Sequence, residues 1–238
     1  MWNRQSSRPM PPIESASPRA TSERKVFVWD VPTRLFHWLT AVLLLVAYLT
    51  WRFEWMDWHA WSGDALLTLV IFRVLWGFFG SDTARFANFI AWPRAALNHL
   101  SRAFRREPDR QVGHNPAGGL MVLLLVALLL GETLSGLYVN NDVVDEGPLT
   151  EFVAAPVANA ITALHWMIWD ALLAAVALHL LAILAYALAK GQNLLTPMIT
   201  GKKTMPASVA QPRMTSVIRA GFLLALSALA AALLAKYL

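Results

Sequence analysis

Two histidines stand in a long apolar stretch of the chain, ALHWMIWDALLAAVALHLLA at positions 163–182. His165 and His179 are fourteen positions apart. At about 100° per residue, fourteen residues make four helical turns less about 40°, so both imidazoles lie on one helix face. At about 1.5 Å per residue they lie about 21 Å apart along the axis. One helix therefore offers one imidazole to each of two separate sites.

Two further histidines belong to apolar segments, His37 in RLFHWL and His59 in DWHAW. Ionisable side chains inside a membrane are costly and are functional candidates. Imidazoles that face each other across a helical bundle are suited to bis-histidine ligation of a haem iron. A zinc ion would need further ligands, and Asp64, Glu132 and Asp170 form no obvious set with the histidines. A proton relay could use histidines but would not require two matched pairs.

Arg73, in VIFRVLWGFFG, lies fourteen positions after His59 and therefore on the same face of a helix. A buried guanidinium needs an anion, and a haem propionate would serve. The alternative is that Arg73 extends its charged end to the membrane interface. We treat Arg73 as a candidate propionate ligand.

The elements that must position these residues are membrane-spanning helices. The chain of 238 residues is 57% hydrophobic and only 15% charged, with a mean hydropathy of +0.46. Its apolar runs predict helices over 35–51, 59–79, 120–139 and 161–189. A fifth segment, 218–235, could span the membrane or lie on its surface. We expect an all-α integral membrane four-helix bundle that binds two haems, with this fifth segment as a candidate C-terminal transmembrane helix. The absence of cysteine excludes disulfides, thiolate metal sites and covalent c-type haem attachment.

The charges predict the orientation of the bundle. Lys and Arg concentrate in 1–34, 85–110 and 190–219, whereas the two remaining loops contain only one, Arg52. The same two loops carry six acids: Glu54, Asp57, Asp142, Asp145, Glu146 and Glu151. The positive-inside rule then places the N-terminus and the end of the fourth helix on the cytoplasmic side. A basic charge spread over three segments does not indicate a nucleic-acid partner.

Orientation assigns each histidine a depth. His37 and His179 fall near the cytoplasmic side, and His59 and His165 fall near the outer side. The first two predict an inner haem site and the last two an outer haem site. His99 lies beside a basic loop without apolar context, so it is interpreted as an interfacial side chain.

Four motifs resemble those of the bacterial cytochrome b561 and nickel–iron hydrogenase b-type cytochrome family. They are VWDVPTRLFHW at 28–38, FRVLWGFFG at 72–80, GHNPAGGLM at 113–121 and NLLTPMITGKK at 193–203. The resemblance covers about 26–203 and implies a four-helix membrane protein with two b haems that exchanges electrons with quinone. It implies the same ligand set, with one histidine in each of the first two helices and two in the fourth. The fifth segment departs from the four-helix pattern.

The GHNP motif at 113–116 permits two interpretations. Asn115 can cap a helix whose first residue is Pro116. A similarity to the membrane subunit of formate dehydrogenase also suggests that His114 and Asn115 line a quinone pocket beside the inner haem.

These patterns divide the chain into three parts: a disordered cytoplasmic tail (1–25), a cytochrome b561-type dihaem domain (26–203), and a linker with a hydrophobic helix (204–238). The predicted function is electron transfer across the inner membrane between quinone and a periplasmic redox partner, either a c-type cytochrome or a hydrogenase. Three alternatives remain open at this point. The chain could anchor a hydrogenase in the membrane, act as a superoxide:quinone oxidoreductase, or be a haem-free transporter that uses its intramembrane His and Arg.

Overall fold

The computed structural model describes residues 22–101, 111–140 and 146–237. Five long helices dominate: α1 (Val31–Arg52), α2 (Met56–Phe79), α5 (Pro116–Gly136), α6 (Ala155–Lys190) and α8 (Val217–Tyr237). The shorter elements are β1 (Glu23–Phe27), α3 (Phe86–Phe89), α4 (Pro93–Ser101), a 3₁₀ turn (Thr150–Phe152), α7 (Leu195–Thr200) and β2 (Lys202–Pro206). We call the end of the bundle where α1 begins the inner end, and the opposite end the outer end.

The predicted all-α class is confirmed, and all five predicted apolar segments form helices long and apolar enough to cross a membrane. The helices begin three to six residues earlier than the apolar runs suggested, except α8, which begins one residue earlier. The reason is visible at α1 and α5, where a polar cap precedes a proline in the first turn. Asp30 accepts a hydrogen bond from Thr33 N at 2.7 Å, and Asn115 accepts one from Gly118 N at 2.7 Å.

A small two-stranded sheet is a difference from the predicted architecture. β1 pairs with β2 in antiparallel register, from Glu23 opposite Pro206 to Phe27 opposite Lys202. The strand takes in residues 23–25, which the sequence assigned to a disordered tail, and residues 1–21 lie outside the described part of the chain. Likewise, β2 continues across the expected boundary at 203. Short strands that pair over such a sequence distance leave little local signal.

In the four-helix core, each long helix packs on the next long helix along the chain. α1 packs on α2, α2 on α5, and α5 on α6. α1 and α6 meet through aromatic rings. Tyr48 stacks on Trp169 with centroids 5.8 Å apart, and Trp51 meets Trp166 edge-on at 5.3 Å. We call the space between α6 and the α1–α2 pair the cleft.

The fifth helix, α8, packs along α2 over most of its length. Near the inner end, Ala220 and Leu223 join a buried cluster with Phe72 and Trp76. Towards the outer end, Ala231 joins a second cluster with residues of α2 and α5. These contacts lie on the side of α2 turned away from His59, because Phe72 and Trp76 stand more than 90° around the helix from it. The fifth segment thus adds a helix behind the four-helix core.

The inner end is closed by contacts between motifs that are remote in sequence. Val28 N donates to Gly201 O at 2.8 Å, so the start of α1 is tied to the end of α7. Arg34 Nη1 donates to Ile199 O at 2.5 Å, and Trp38 Nε1 donates to Met198 O at 3.3 Å. We call these bonds and the β1–β2 sheet together the inner clasp. The clasp holds α1 against the chain that follows α6, and so positions the inner histidines.

Candidate functional site

His37 of α1 and His179 of α6 face each other across the cleft near the inner end. Their ring centroids are 6.3 Å apart, and the ring planes are inclined by 56°. Metal–imidazole nitrogen bonds are about 2 Å long and a ring nitrogen lies about 1 Å from the ring centre, so two imidazoles on one metal have centroids about 6 Å apart. His37 Nδ1 is buried and makes no hydrogen bond within the described chain. The spacing of this inner pair fits a single iron between the rings.

His59 of α2 and His165 of α6 form the outer pair, and they lie close enough to interact electrostatically. His59 Nδ1 is 2.9 Å from the carbonyl oxygen of Ala47. His165 Nδ1 is 2.9 Å from Ser135 Oγ and 3.1 Å from the carbonyl oxygen of Glu132. Donation from Nδ1 to a carbonyl leaves Nε2 with the lone pair that an iron requires. The contact with the Ala47 carbonyl therefore sets His59 in the tautomer of a metal ligand, and the Glu132 carbonyl is an acceptor for the same tautomer of His165.

Glu132 and two glycines shape the space beside the outer pair. Glu132 Oε1 lies 3.3 Å from His165 Nε2, and its side chain is only 13% exposed. Ligation of iron through Nε2 would replace this contact. A methyl group at Gly136 would lie 3.4 Å from His165 Cε1, so glycine allows the imidazole to approach α5. A methyl group at Gly63, one turn after His59, would meet no described atom within 4 Å, so open space adjoins the outer pair.

Arg73 is buried in α2, with 2% of its surface exposed. Its Nη1 has no hydrogen-bond partner among the described residues, and its Cζ lies 5.1 Å from the centre of the Phe86 ring. Asp30 is the nearby carboxylate, but its two oxygens already accept from Thr33 N at 2.7 Å and from Trp76 Nε1 at 3.1 Å. A buried guanidinium with an unused N–H is suited to a further anion, which a haem propionate would supply.

His114 and Asn115 lie where α5 begins, at the inner end. The His114 ring packs between Trp29, at 4.6 Å, and Phe89, at 4.7 Å. Its Nδ1 is buried and has no hydrogen-bond partner in the part of the chain that is described. Burial, with smaller contributions from the nearby Arg73 and His179, lowers the pKa of His114 to about 3, so the ring is neutral at physiological pH. Asn115 caps α5, as one of the two interpretations predicted.

The arrangement is suited to two bis-histidine metal sites rather than to a zinc centre. Within residues 22–101, 111–140 and 146–237, no group of three or more His, Asp or Glu side chains could hold a metal ion together. Each of the four histidines is instead half-buried along one cleft, in two pairs. The fit to haem rests on the ring spacing of the inner pair, the Nδ1 hydrogen bonds of the outer pair and the unused N–H of Arg73.

Sequence reasoning missed the groups that surround the histidines. Ser135 and the carbonyl oxygens of Ala47 and Glu132 carry no signal in the sequence, because backbone acceptors and single serines occur in every apolar helix. Gly63 could have been found, since it lies four positions after His59 and hence on the same helix face.

The comparisons with known proteins agree with this geometry. A family described as prokaryotic cytochrome b561 matches residues 28–201. The chain is 26% identical over 224 residues to a probable Ni/Fe-hydrogenase B-type cytochrome subunit of Bradyrhizobium diazoefficiens, an alignment that covers 80% of this chain and 90% of that protein. It is 29% identical over 128 residues to a protein of the same description from Azotobacter vinelandii, covering 43% of this chain and 53% of that one. No solved structure matches the chain.

The family match includes α1, α2 and α6, which carry the four paired histidines, and the hydrogen bonds of the inner clasp, whereas the β1–β2 sheet lies just outside it. It leaves out α8, in keeping with the position of that helix behind the core. The resemblance found in the four sequence motifs is thereby confirmed. The chain belongs to the prokaryotic cytochrome b561 family and is a multi-pass membrane cytochrome of the b type.

Proposed function

We propose that the protein binds two b haems and transfers electrons across the bacterial inner membrane between a quinone and a periplasmic redox partner. The observation that carries this proposal is the pairing of the histidines at two levels of one cleft, above all the 6.3 Å between the rings of His37 and His179. The outer haem would be held by His59 and His165. At about 1.5 Å per residue, the two ligands on α6 are separated by about 21 Å, which divides a bilayer core of about 30 Å into two electron-transfer steps.

When bound, the two haems supply the one-electron couples. The residues of the chain supply ligation, charge and access. Arg73 would bind a propionate and place a positive charge beside the inner site. His114, which is neutral, and Asn115 would border the quinone at the same end. The positive-inside rule makes this inner end cytoplasmic, so quinone would react near the cytoplasmic surface.

A hydrogenase is the partner that we propose to test first. Both relatives described above are named as probable Ni/Fe-hydrogenase B-type cytochrome subunits, and a periplasmic hydrogenase could pass electrons to the outer site. The alternative is a soluble c-type cytochrome. Affinity purification of the tagged protein from its native membrane, with hydrogenase subunits identified in the eluate, would support the first. An eluate that holds a c-type cytochrome and no hydrogenase would favour the second.

Absorption spectroscopy and haem counting test the core of the proposal. We expect the reduced, purified protein to show b-type α bands and two haems per chain, and we expect a quinol to reduce them. A protein that contains no haem after expression with adequate haem supply would refute the proposal and favour the transporter alternative. Quinone-dependent consumption of superoxide would instead indicate a superoxide:quinone oxidoreductase.

A further inference from the structure

Tyr186 is the first polar residue of α6 after His179, in the direction of the inner end. It follows His179 by seven positions, which is two turns less about 20°, so both side chains leave the helix on the same face. Tyr186 is about 10 Å closer to the inner end. His165, His179 and the phenol of Tyr186 therefore follow one another along one face of α6.

The phenol is held in place by the motif already associated with the inner site. Asn115 Nδ2 donates to Tyr186 Oη at 2.8 Å. The other end of the same amide, Asn115 Oδ1, accepts from Gly118 N at 2.7 Å and caps α5. Because the cap fixes the orientation of the amide, the two ends of the Asn115 side chain bind the start of α5 and the Tyr186 hydroxyl. It therefore serves as a support for the phenol as much as a contact for a ligand.

Tyr186 lies near the inner end of α6, beside a cationic side chain. Lys190, one turn further on, places its ammonium 5.0 Å from the centre of the Tyr186 ring, at the end of α6. Leu180, Leu184 and Ala187 line an apolar groove of about 360 Å³ on the face of the same helix end that is turned away from Tyr186. Tyr186 itself is half-buried, so part of its side chain is accessible at this end of α6.

We infer that Tyr186 hydrogen-bonds a quinone oxygen at the inner end and that Asn115 positions the phenol for this contact. The inference rests on the proposed function and names a quinone-binding residue for it. A quinone is an apolar ring with two carbonyl acceptors, and small-molecule sites commonly combine apolar walls with a few fixed polar groups. A phenol is neutral in the membrane and both donates and accepts hydrogen bonds, so it can bind quinone and quinol alike.

The test is the concentration dependence of haem reduction by a decyl-tailed ubiquinol analogue. Tyr186→Phe removes only the hydroxyl, and we expect the half-saturating quinol concentration to rise roughly three- to tenfold, in line with the loss of one hydrogen bond. Haem content, reduced spectra and reduction by dithionite should stay as in the unaltered protein. Tyr138→Phe, which removes a phenol at the outer end, should leave quinol saturation unchanged. Tyr186→Trp, which retains an N–H donor, should restore part of the quinol affinity.

Two outcomes would overturn the inference. If Tyr186→Phe retains both haems and saturates at the same quinol concentration as the unaltered protein, the phenol does not bind the quinone. If instead the variant loses haem or thermal stability while its half-saturating concentration stays the same, Tyr186 only joins α5 to α6. Failure of the unaltered protein to react with any quinol would be a different result, because it would remove the proposed function as well.

Discussion

Three of the four histidines differ in what lies beside Nδ1. His59 and His165 of the outer pair each have an oxygen within 3 Å of Nδ1, whereas Nδ1 of His37 in the inner pair is buried with no partner among the described residues. A ligand whose other ring nitrogen donates a hydrogen bond is oriented and more basic. Basic ligands favour the ferric state, so the outer haem should be the harder of the two to reduce.

Single ligand replacements should remove the haems one at a time. His179→Ala takes one imidazole from the inner pair and should cost the inner haem, and His165→Ala should cost the outer haem. Haem counts per chain, with redox titration of what remains, measure both. His99→Ala is the matched control and should retain two haems. Loss of both haems from either single variant in a folded protein would contradict two independent sites.

The charge of Arg73 should act on one haem only. Arg73→Gln removes a buried positive charge that favours the reduced haem, so we expect a lower midpoint potential at the inner site. At an effective dielectric constant of about 20, one nearby charge contributes roughly 1–4 kcal/mol. Since 1.4 kcal/mol corresponds to about 59 mV for one electron, the shift should be tens of millivolts or more.

The matched control for this titration is Arg85→Gln. Arg85 is bound to Asp82 at 3.8 Å on the partly exposed surface, so neither potential should move when its charge is lost. If Arg73→Gln shifted the outer midpoint potential and left the inner one unchanged, the prediction that Arg73 acts on the inner haem would be wrong.

At the scale of elements, the sequence predicts which residues share one face of a helix, but it does not predict the contacts between helices. The fourteen-residue intervals that align His165 with His179, and His59 with Arg73, follow from helix geometry alone. The neighbours that α5 brings to His165 depend on how two apolar helices rotate against each other. That rotation is decided by packing of similar side chains, which a single sequence does not rank.

Gly63 gives a test of the open space beside the outer pair. Gly63→Val would push a branched side chain into that space, so we expect loss of the outer haem with the inner haem retained. Gly221→Val is the control, because a side chain at Gly221 of α8 also meets no atom within 4 Å yet lies far from the histidines. Haem content and redox titration measure the difference. Retention of both haems in Gly63→Val would show that the haem does not occupy this side of the pair.

The seam between α8 and α2 should be sensitive to added volume. Ala220 is 6% exposed within the inner cluster, so Ala220→Leu should cost about 1–3 kcal/mol through overpacking. Ala228, on the exposed face of the same helix, should accept Leu without loss. Thermal unfolding in detergent, followed with haem absorbance, compares the two. Equal stability of both variants would mean that α8 does not pack on α2 in the membrane.

For the molecule as a whole, an odd number of spans predicts that the two chain ends lie on opposite sides of the membrane. If the N-terminus is cytoplasmic, the end of α8 is periplasmic. Alkaline phosphatase fused after Tyr237 should therefore be active, because its disulfides form only outside the cytoplasm. The same reporter fused after Arg213, before α8, should be inactive. The reverse pattern would invert the orientation, and inactivity of both would mean that α8 lies on the surface.

The inner clasp also has a consequence for how the protein is assembled. The outer pair needs α2 and α6, but the inner pair is held by β1 and by residues that follow α6, up to Pro206. A ribosome must therefore synthesise nearly the whole chain before the N-terminal strand can find its partner. Contacts of such long sequence separation form late. We therefore expect the outer pair to form while the chain is still being made, and the inner pair to be the last to be completed.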